Sequence, residues 1–359
     1  MLTQPQRCVG WTSAQWDLAI RTGRLVKLLG TAFQRLRDAH LLGAIPLAVR
    51  QQLESSHRIS IHRAGMVRIE LDAVRHALAD YDGPIVLLKG AAYSLQGLTA
   101  GQGRIFEDTD LLIPKSRLDD VEEQLIVAGW ETETPDPYDQ RYYREWSHEL
   151  PPMRAPGHAM QLDVHHTIIP VTARFRPDAA RLVSMSRPID GTRFVALHPA
   201  HQLLHAVAHV FADSDCVSRL RDVVDMDALA REHATALPDF WTSVLAEARL
   251  ATLERPLWYA LDICAGWLGT PLPPTVQAWI VDQSPSPPIR WLMRALLKQA
   301  MPPPSPDRSD SIGRRISAKL LMLRYIWLRM PPRLLAYHAT RKAVRGLRNR
   351  FTPRTDAAV

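Results

Sequence analysis

Cysteine is scarce in this chain: three residues, Cys8, Cys216 and Cys264, far apart and in no C-x-x-C arrangement. That excludes a disulfide framework and a cysteine-ligated zinc site, and it suits a reducing compartment. No uncharged apolar run is long enough to span a bilayer, and the N-terminal stretch from Met1 to Trp16 lacks an apolar core of signal-peptide type. The expectation is a cytoplasmic protein. Three catalytic signatures are also missing: a G-x-x-x-x-G-K-S/T phosphate loop, a G-x-S-x-G nucleophile elbow and an H-E-x-x-H zinc helix. His201, His205 and His209 share one helical face at a spacing of four, but without that glutamate or a nearby cysteine they read as core histidines.

What is present is ordinary for a globular chain of 359 residues: 46% hydrophobic and 23% charged. The charge is unevenly spread. Twelve Lys or Arg and no Asp or Glu fall between Ser311 and Arg354, whereas the rest holds 32 basic and 37 acidic residues, a net of −5. The net charge of +7 therefore belongs to the tail.

Apolar spacing at three and four predicts helices up to about residue 80. One passes through Leu25, Leu28, Leu29, Ala32 and Leu36, another through Met66, Ile69, Leu71, Val74 and Leu78. After Tyr81-Asp82-Gly83-Pro84 the pattern changes. Ile85 to Leu88 reads as a buried strand, Ala91 to Leu98 as a short helix and 99–103 as a loop. Asp108 to Ile113 reads as a second strand, followed by a helix capped by Ser116 and stopped by Gly129. Residues 141–149 and 159–165 are expected to be strands around a proline-rich turn at 151–157. From Pro199 the pattern is helical, and Pro302 to Pro306 marks a linker. The expected fold is α+β, a small mixed-sheet core flanked by N-terminal and C-terminal helical regions. The expected divisions are 1–80, 81–197, 198–300 and 301–359.

The segment Asp108-Thr109-Asp110-Leu111-Leu112-Ile113 carries the chemistry. Residues two apart on a strand face the same way, so Asp108 and Asp110 project together. Paired carboxylates repel, and a divalent metal relieves the cost of holding them. Asp163 lies in the alternating segment Met160 to His166 and completes a metal-binding cluster if the two strands are neighbours, with His165 on its face. Gly90, at a strand-to-helix turn, allows backbone to approach a phosphate at a helix N-terminus. Lys89 reads either as a phosphate contact or as a strand-end lysine. Arg104 reads as a triphosphate contact, as a group orienting Asp108, or as a surface arginine.

Leu87-Leu88-Lys89-Gly90-Ala91-Ala92, then Arg104, then the aspartate strand resembles the uncharacterised bacterial nucleotidyltransferase family of the DNA polymerase β-like superfamily. Asp163-Val164-His165, His198-Pro199 through Leu203-Leu204-His205, and Leu220-Arg221-Asp222-Val223-Val224-Asp225 match the family's later motifs in order, over roughly residues 60 to 235. The resemblance implies that Asp108, Asp110 and Asp163 bind Mg2+ and are catalytic. It also implies that Gly90 and Ala91, with Lys89 and Arg104 beside them, lie against a nucleoside triphosphate, with ATP the expected one. Ala91 stands where the wider superfamily favours serine.

The expected activity is transfer of a nucleoside monophosphate to a hydroxyl-bearing acceptor with release of pyrophosphate. The expected acceptor is a small molecule, peptide or protein in preference to RNA. The alternative is a non-catalytic nucleotide- or partner-binding protein on the same fold. The tail, with Ile316, Leu320, Leu323 and Trp327 among arginines, is a candidate for peripheral contact with an anionic membrane over residues 311–354.

Overall fold

The computed structural model describes residues 1–133, 136–337 and 340–341. Three helices lead the chain: α1 (Ser13–Leu25), α2 (Leu29–Asp38) and α3 (Leu47–Ala77). Thr12 starts α1 with a capping box, accepting from the Gln15 N–H while the Gln15 side chain returns to the Thr12 N–H. The single helix expected through Leu25 to Leu36 is in fact two. Lys27 takes a positive φ of 55°, and the chain turns so that Leu29, Ala32, Phe33 and Leu36 close a small core with Trp16, Ile20 and Leu53. Burial of that apolar face outweighs continuity of one helix.

The sheet then forms from β1 (Val86–Leu87), β2 (Asp108–Leu112), β3 (Glu131–Thr132), β4 (Met153–Arg154), β5 (Gln161–His165), β6 (Arg187–Pro188) and β7 (Val195–Ala196). Their spatial order is β3-β4-β5-β2-β1-β7-β6. β2 runs parallel to β5 and antiparallel to β1, while β1 is parallel to β7. The sheet is therefore mixed, and the fold is α+β with helical regions at both ends. The short helices α4 (Lys89–Leu95) and α5 (Leu118–Val127) follow β1 and β2. Ser116 does not cap α5; it sits in a 3-10 turn, Lys115–Arg117, that precedes the helix.

Residues 141–149 differ from expectation. Most of that segment lies in helix α6 (Pro137–Trp146), because Asp136 accepts from the N–H groups of Tyr138 and Asp139 and Pro137 occupies the first turn. An Arg141–Glu145 ion pair one turn apart adds to it. This start signal overrides the strand expected over 141–149. Only Glu149 reaches the sheet, bridging to His165. The proline-rich stretch contributes β4, which pairs antiparallel with β5.

The C-terminal helices are α7 (Ala179–Ser184), α8 (Pro199–Phe211), α9 (Leu220–Ala236), α10 (Phe240–Leu250), α11 (Glu254–Ile263), α12 (Pro274–Asp282), α13 (Pro287–Ala300) and α14 (Ile312–Arg329). α8 is apolar nearly all round and almost wholly buried, as a helix enclosed by others must be. Its core is continuous with that of the sheet, through Leu88, Tyr93, Leu112, Leu204 and Phe211. Residues 338–339 and 342–354 of the basic tail lie outside the described residues.

Two glycines fix how the N-terminal helices meet the core. A Cβ on Gly103, whose φ is +70°, would lie 2.3 Å from the Gly30 carbonyl carbon; one on Gly30 would lie 2.4 Å from the Gly103 oxygen. The start of α2 thus packs backbone on backbone against the loop that delivers Asp108. A Lys27–Glu107 ion pair sits beside this contact.

Candidate active site

Asp108 and Asp110 share one face of β2, and the parallel register sets Asp163 of β5 opposite Asp110. One carboxylate oxygen from each lies within 4.8 Å of the others. The sheet therefore brings together the three aspartates expected from the sequence. Asp108 is at the solvent-open end of the strand, and Asp110 is buried.

Asp110 is the anchored member. Its Oδ1 accepts from Lys89 Nζ at 3.2 Å and from His165 Nε2 at 3.0 Å. Burial alone would raise the Asp110 carboxyl, but the Lys89 charge and the His165 hydrogen bond outweigh it and hold it well below the usual carboxylate range. Both partners respond: despite burial, Lys89 and His165 are raised by Asp110. Lys89 follows β1 with a φ of 42°, which turns the chain into α4 and aims the ammonium across the sheet. His165 thus braces Asp110, not the Asp163 with which it shares a strand.

Asp163 has the opposite surroundings. Its Oδ1 is buried with no hydrogen-bond partner. Burial first, then the Asp110 charge, pushes its carboxyl up to about 7. Asp108 is also raised, by burial and by Asp110, against the pull of Lys89 and Arg104. A buried carboxylate without a donor is costly, so this cluster favours a cation or a proton.

Gly90 and Ala91 are buried at the start of α4. A Cβ on Gly90 would lie 2.8 Å from the Phe106 ring, so the glycine has a packing reason of its own. Arg104 Nε would lie 3.2 Å from the same Cβ, and its guanidinium ion-pairs with Asp225 of α9. Asp225 therefore holds the guanidinium that the sequence left open to three readings.

Sequence reasoning assigned no role to Arg221, at the start of α9. It is largely buried, makes only a 3.5 Å contact to the Ile105 carbonyl, and has no carboxylate partner among the described residues. Arg104 above all, then burial, lowers its pKa to about 10. With Lys27 and Arg219 it lines an open cleft of about 550 Å³ beside Glu107, the residue before Asp108. A guanidinium lowered by a neighbouring cation gains from an anion beside it.

Three further groups were missed: Glu149, His148 and Asp213 stand behind His165, with Arg329 of α14 3.5 Å from Asp213. Their positions in sequence carry no spacing signal. The histidines of α8 have no metal arrangement among the described residues. His201 is 2.9 Å from Glu247, and burial holds His205 and His209 well below their ordinary value.

No curated protein and no solved structure matches the chain. A family model described as an uncharacterised nucleotidyltransferase matches residues 12–269, a span that includes the N-terminal helices, the whole sheet and α8 to α11. With the carboxylates of β2 and β5 inside that span, the chain belongs to this uncharacterised nucleotidyltransferase family.

Proposed function

We propose that the chain transfers a nucleoside monophosphate from a triphosphate, with ATP the first choice, to a hydroxyl on an acceptor, releasing pyrophosphate. The observation that carries this reading is the convergence of Asp108, Asp110 and Asp163, with Asp163 Oδ1 lacking any donor. Such a set fits a hard divalent cation, for which Asp110 keeps Oδ2 available while Lys89 and His165 occupy Oδ1. Magnesium held by these three carboxylates would supply positive charge at the α-phosphate and at the acceptor oxygen.

The side chains divide the remaining work. Lys89 and His165 keep Asp110 ionised and oriented. Asp163, whose Oδ1 has no donor, accepts the acceptor's proton. The acceptor oxygen then bonds to the α-phosphorus as the bond to the bridging oxygen breaks, and pyrophosphate carries away that electron pair. Arg221, with Lys27 and Arg219, offers the charge that a triphosphate needs. Lys89, Gly90, Ala91 and Arg104 complete the proposed nucleotide-binding set, Arg104 acting from its pair with Asp225. In this reading residues 81–197 carry the chemistry, 1–80 and 198–300 wall it in, and 301–359 form the linker and basic tail.

A second reading, binding without turnover, draws on Ala91 in place of a phosphate-holding serine and on Phe106 covering Gly90. One experiment separates the two. The full chain is incubated with magnesium, a cell extract and ATP labelled at the α-phosphate. Label on an acceptor, lost in Asp108→Asn, supports transfer. Equal labelling by Asp108→Asn refutes the site, and no labelling with intact ATP binding favours the second reading.

We further propose a cytoplasmic setting with peripheral membrane contact. The three cysteines are free and buried. No described helix is long and apolar enough to cross a membrane. α14, however, exposes Ile312, Ile316, Leu320, Leu323 and Trp327 along one side, interleaved with exposed Arg315 and Lys319. That combination suits an anionic lipid surface. Flotation with vesicles containing phosphatidylserine is expected, and equal behaviour with neutral vesicles would remove the electrostatic part of the proposal.

A further inference from the structure

Behind the aspartate cluster lies a second group of donors. His165 is almost fully buried, and its Nε2–H donates to Asp110 Oδ1. That bond commits Nε2 and leaves Nδ1 as the ring nitrogen without a partner. Nδ1 faces Glu149 Oε2 at 3.4 Å and makes no hydrogen bond. His148, also nine-tenths buried, brings its Nε2 to 3.8 Å from the same oxygen. One nitrogen of each ring and the Glu149 carboxylate all lie within 4.8 Å of one another.

These separations decide between explanations. A good hydrogen bond would draw nitrogen and oxygen to roughly 2.7–3.2 Å. Neither imidazole comes that close to Glu149. Donors about 2.0–2.1 Å from a tetrahedral ion are instead separated by roughly 3.3 Å. The two nitrogen–oxygen separations, 3.4 and 3.8 Å, are longer than good hydrogen bonds, and all three donors remain close enough to share one ion. A cation among the three groups would serve both the Glu149 carboxylate and the unpartnered His165 Nδ1.

We propose that His148, Glu149 and His165 form a second metal centre, distinct from the aspartate cluster and selective for a borderline transition ion of the Zn2+ class. Two imidazoles with one carboxylate suit such an ion, whereas magnesium prefers oxygen alone. Asp213 Oδ2, 3.8 Å from His148 Nε2, stands ready as an outer partner, held in turn by Arg329. The centre is a positioning device. It ties the segment after α6 to β5, fixes the His165 ring, and through Nε2–H fixes Asp110. The proposal does not depend on nucleotide transfer.

The test uses the full chain, stripped with a chelator and titrated with Co2+ as the probe in the presence of excess magnesium. One Co2+ per chain with the visible absorption of a low-coordinate site is expected, displaced by one Zn2+. His148→Ala and Glu149→Gln, the latter nearly isosteric, should each weaken Co2+ at least about tenfold, while Asp108→Asn should leave it unchanged. A folded wild-type chain that takes up no Co2+ overturns the proposal. So does Co2+ binding that survives in a folded Glu149→Gln, or that disappears in Asp108→Asn.

Discussion

The two walls of the candidate site have opposite character. The sheet wall, from β2 and β5, presents Asp108, Asp110 and Asp163 within 4.8 Å of one another. The helical wall, from the start of α9 and the turn after α1, presents Arg221, Arg219 and Lys27 around an open cleft, with Glu107 and Asp222 paired to Lys27 and Arg219 and Arg221 left without a carboxylate partner among the described residues. On the sheet wall burial and then the Asp110 charge raise Asp163; on the helical wall the Arg104 charge and then burial lower Arg221. Each wall thus holds one group shifted towards its neutral form, Asp163 on the first and Arg221 on the second. A cation at the first and a polyanion at the second relieve both, which is the charge pattern of a metal–triphosphate substrate.

Removing one wall at a time breaks the comparison. The largest effect is expected on the sheet side. Asp110→Asn should cut label transfer on the order of a thousandfold, several kcal/mol of barrier. It should also destabilise the chain by about 1–3 kcal/mol, measured by urea unfolding, because the partly buried Lys89 loses its ion-pair partner. Little change in either measurement would mean that Asp110 is an ordinary strand residue.

On the helical side, Arg221→Met should weaken ATP binding by about ten- to a hundredfold by calorimetry, the loss of one charge-assisted contact. Stability should hold or rise, since a crowded cation is relieved. Unaltered affinity would place the phosphates elsewhere.

Acidity sharpens the contrast. Asp163 titrates near 7 in the folded chain against 3.8 for an unperturbed group. Between about pH 4 and 7 the folded chain holds a proton that the unfolded chain has released, so stability in chelator should fall as pH rises through that window. Magnesium should restore it, most strongly above pH 7, where Asp163 is ionised. Melting temperatures with and without magnesium should therefore diverge with pH, and Asp163→Asn should flatten the divergence. Parallel curves would remove Asp163 from the cation site.

The smallest effect concerns α14. Leu323→Glu should reduce flotation with anionic vesicles while changing stability by no more than about 0.5 kcal/mol, because Leu323 is exposed. Unchanged flotation would assign the apolar stripe another role.

The sequence made some of this legible and left other parts hidden, for physical reasons. β1, β2 and β5 were readable because Ile85 to Leu88 and Asp108 to Ile113 are short apolar runs between turn signals, and 161–165 alternates. The convergence of Asp163 with Asp108 and Asp110 followed once β2 and β5 were taken as neighbours. Helix α6 was misread because the start signal at Asp136 and Pro137 lies outside the aromatic run it governs. β6 and β7 are two residues each, too short for any period. The partners that set the electrostatics were hidden for a different reason. Asp110 takes one partner 21 residues earlier and another 55 later, and Arg104 meets Asp225 121 residues on. Such pairings are made by packing, and neither periodicity nor spacing records them.

The central claim is that the three aspartates form a cation site through which the triphosphate is held. It is tested most directly by calorimetry of ATP on the intact chain, with and without magnesium, beside the folded Asp108→Asn/Asp163→Asn variant. The account predicts one magnesium-dependent ATP site in the intact chain and its loss in the variant. ATP binding of equal strength in both, indifferent to magnesium, would contradict it.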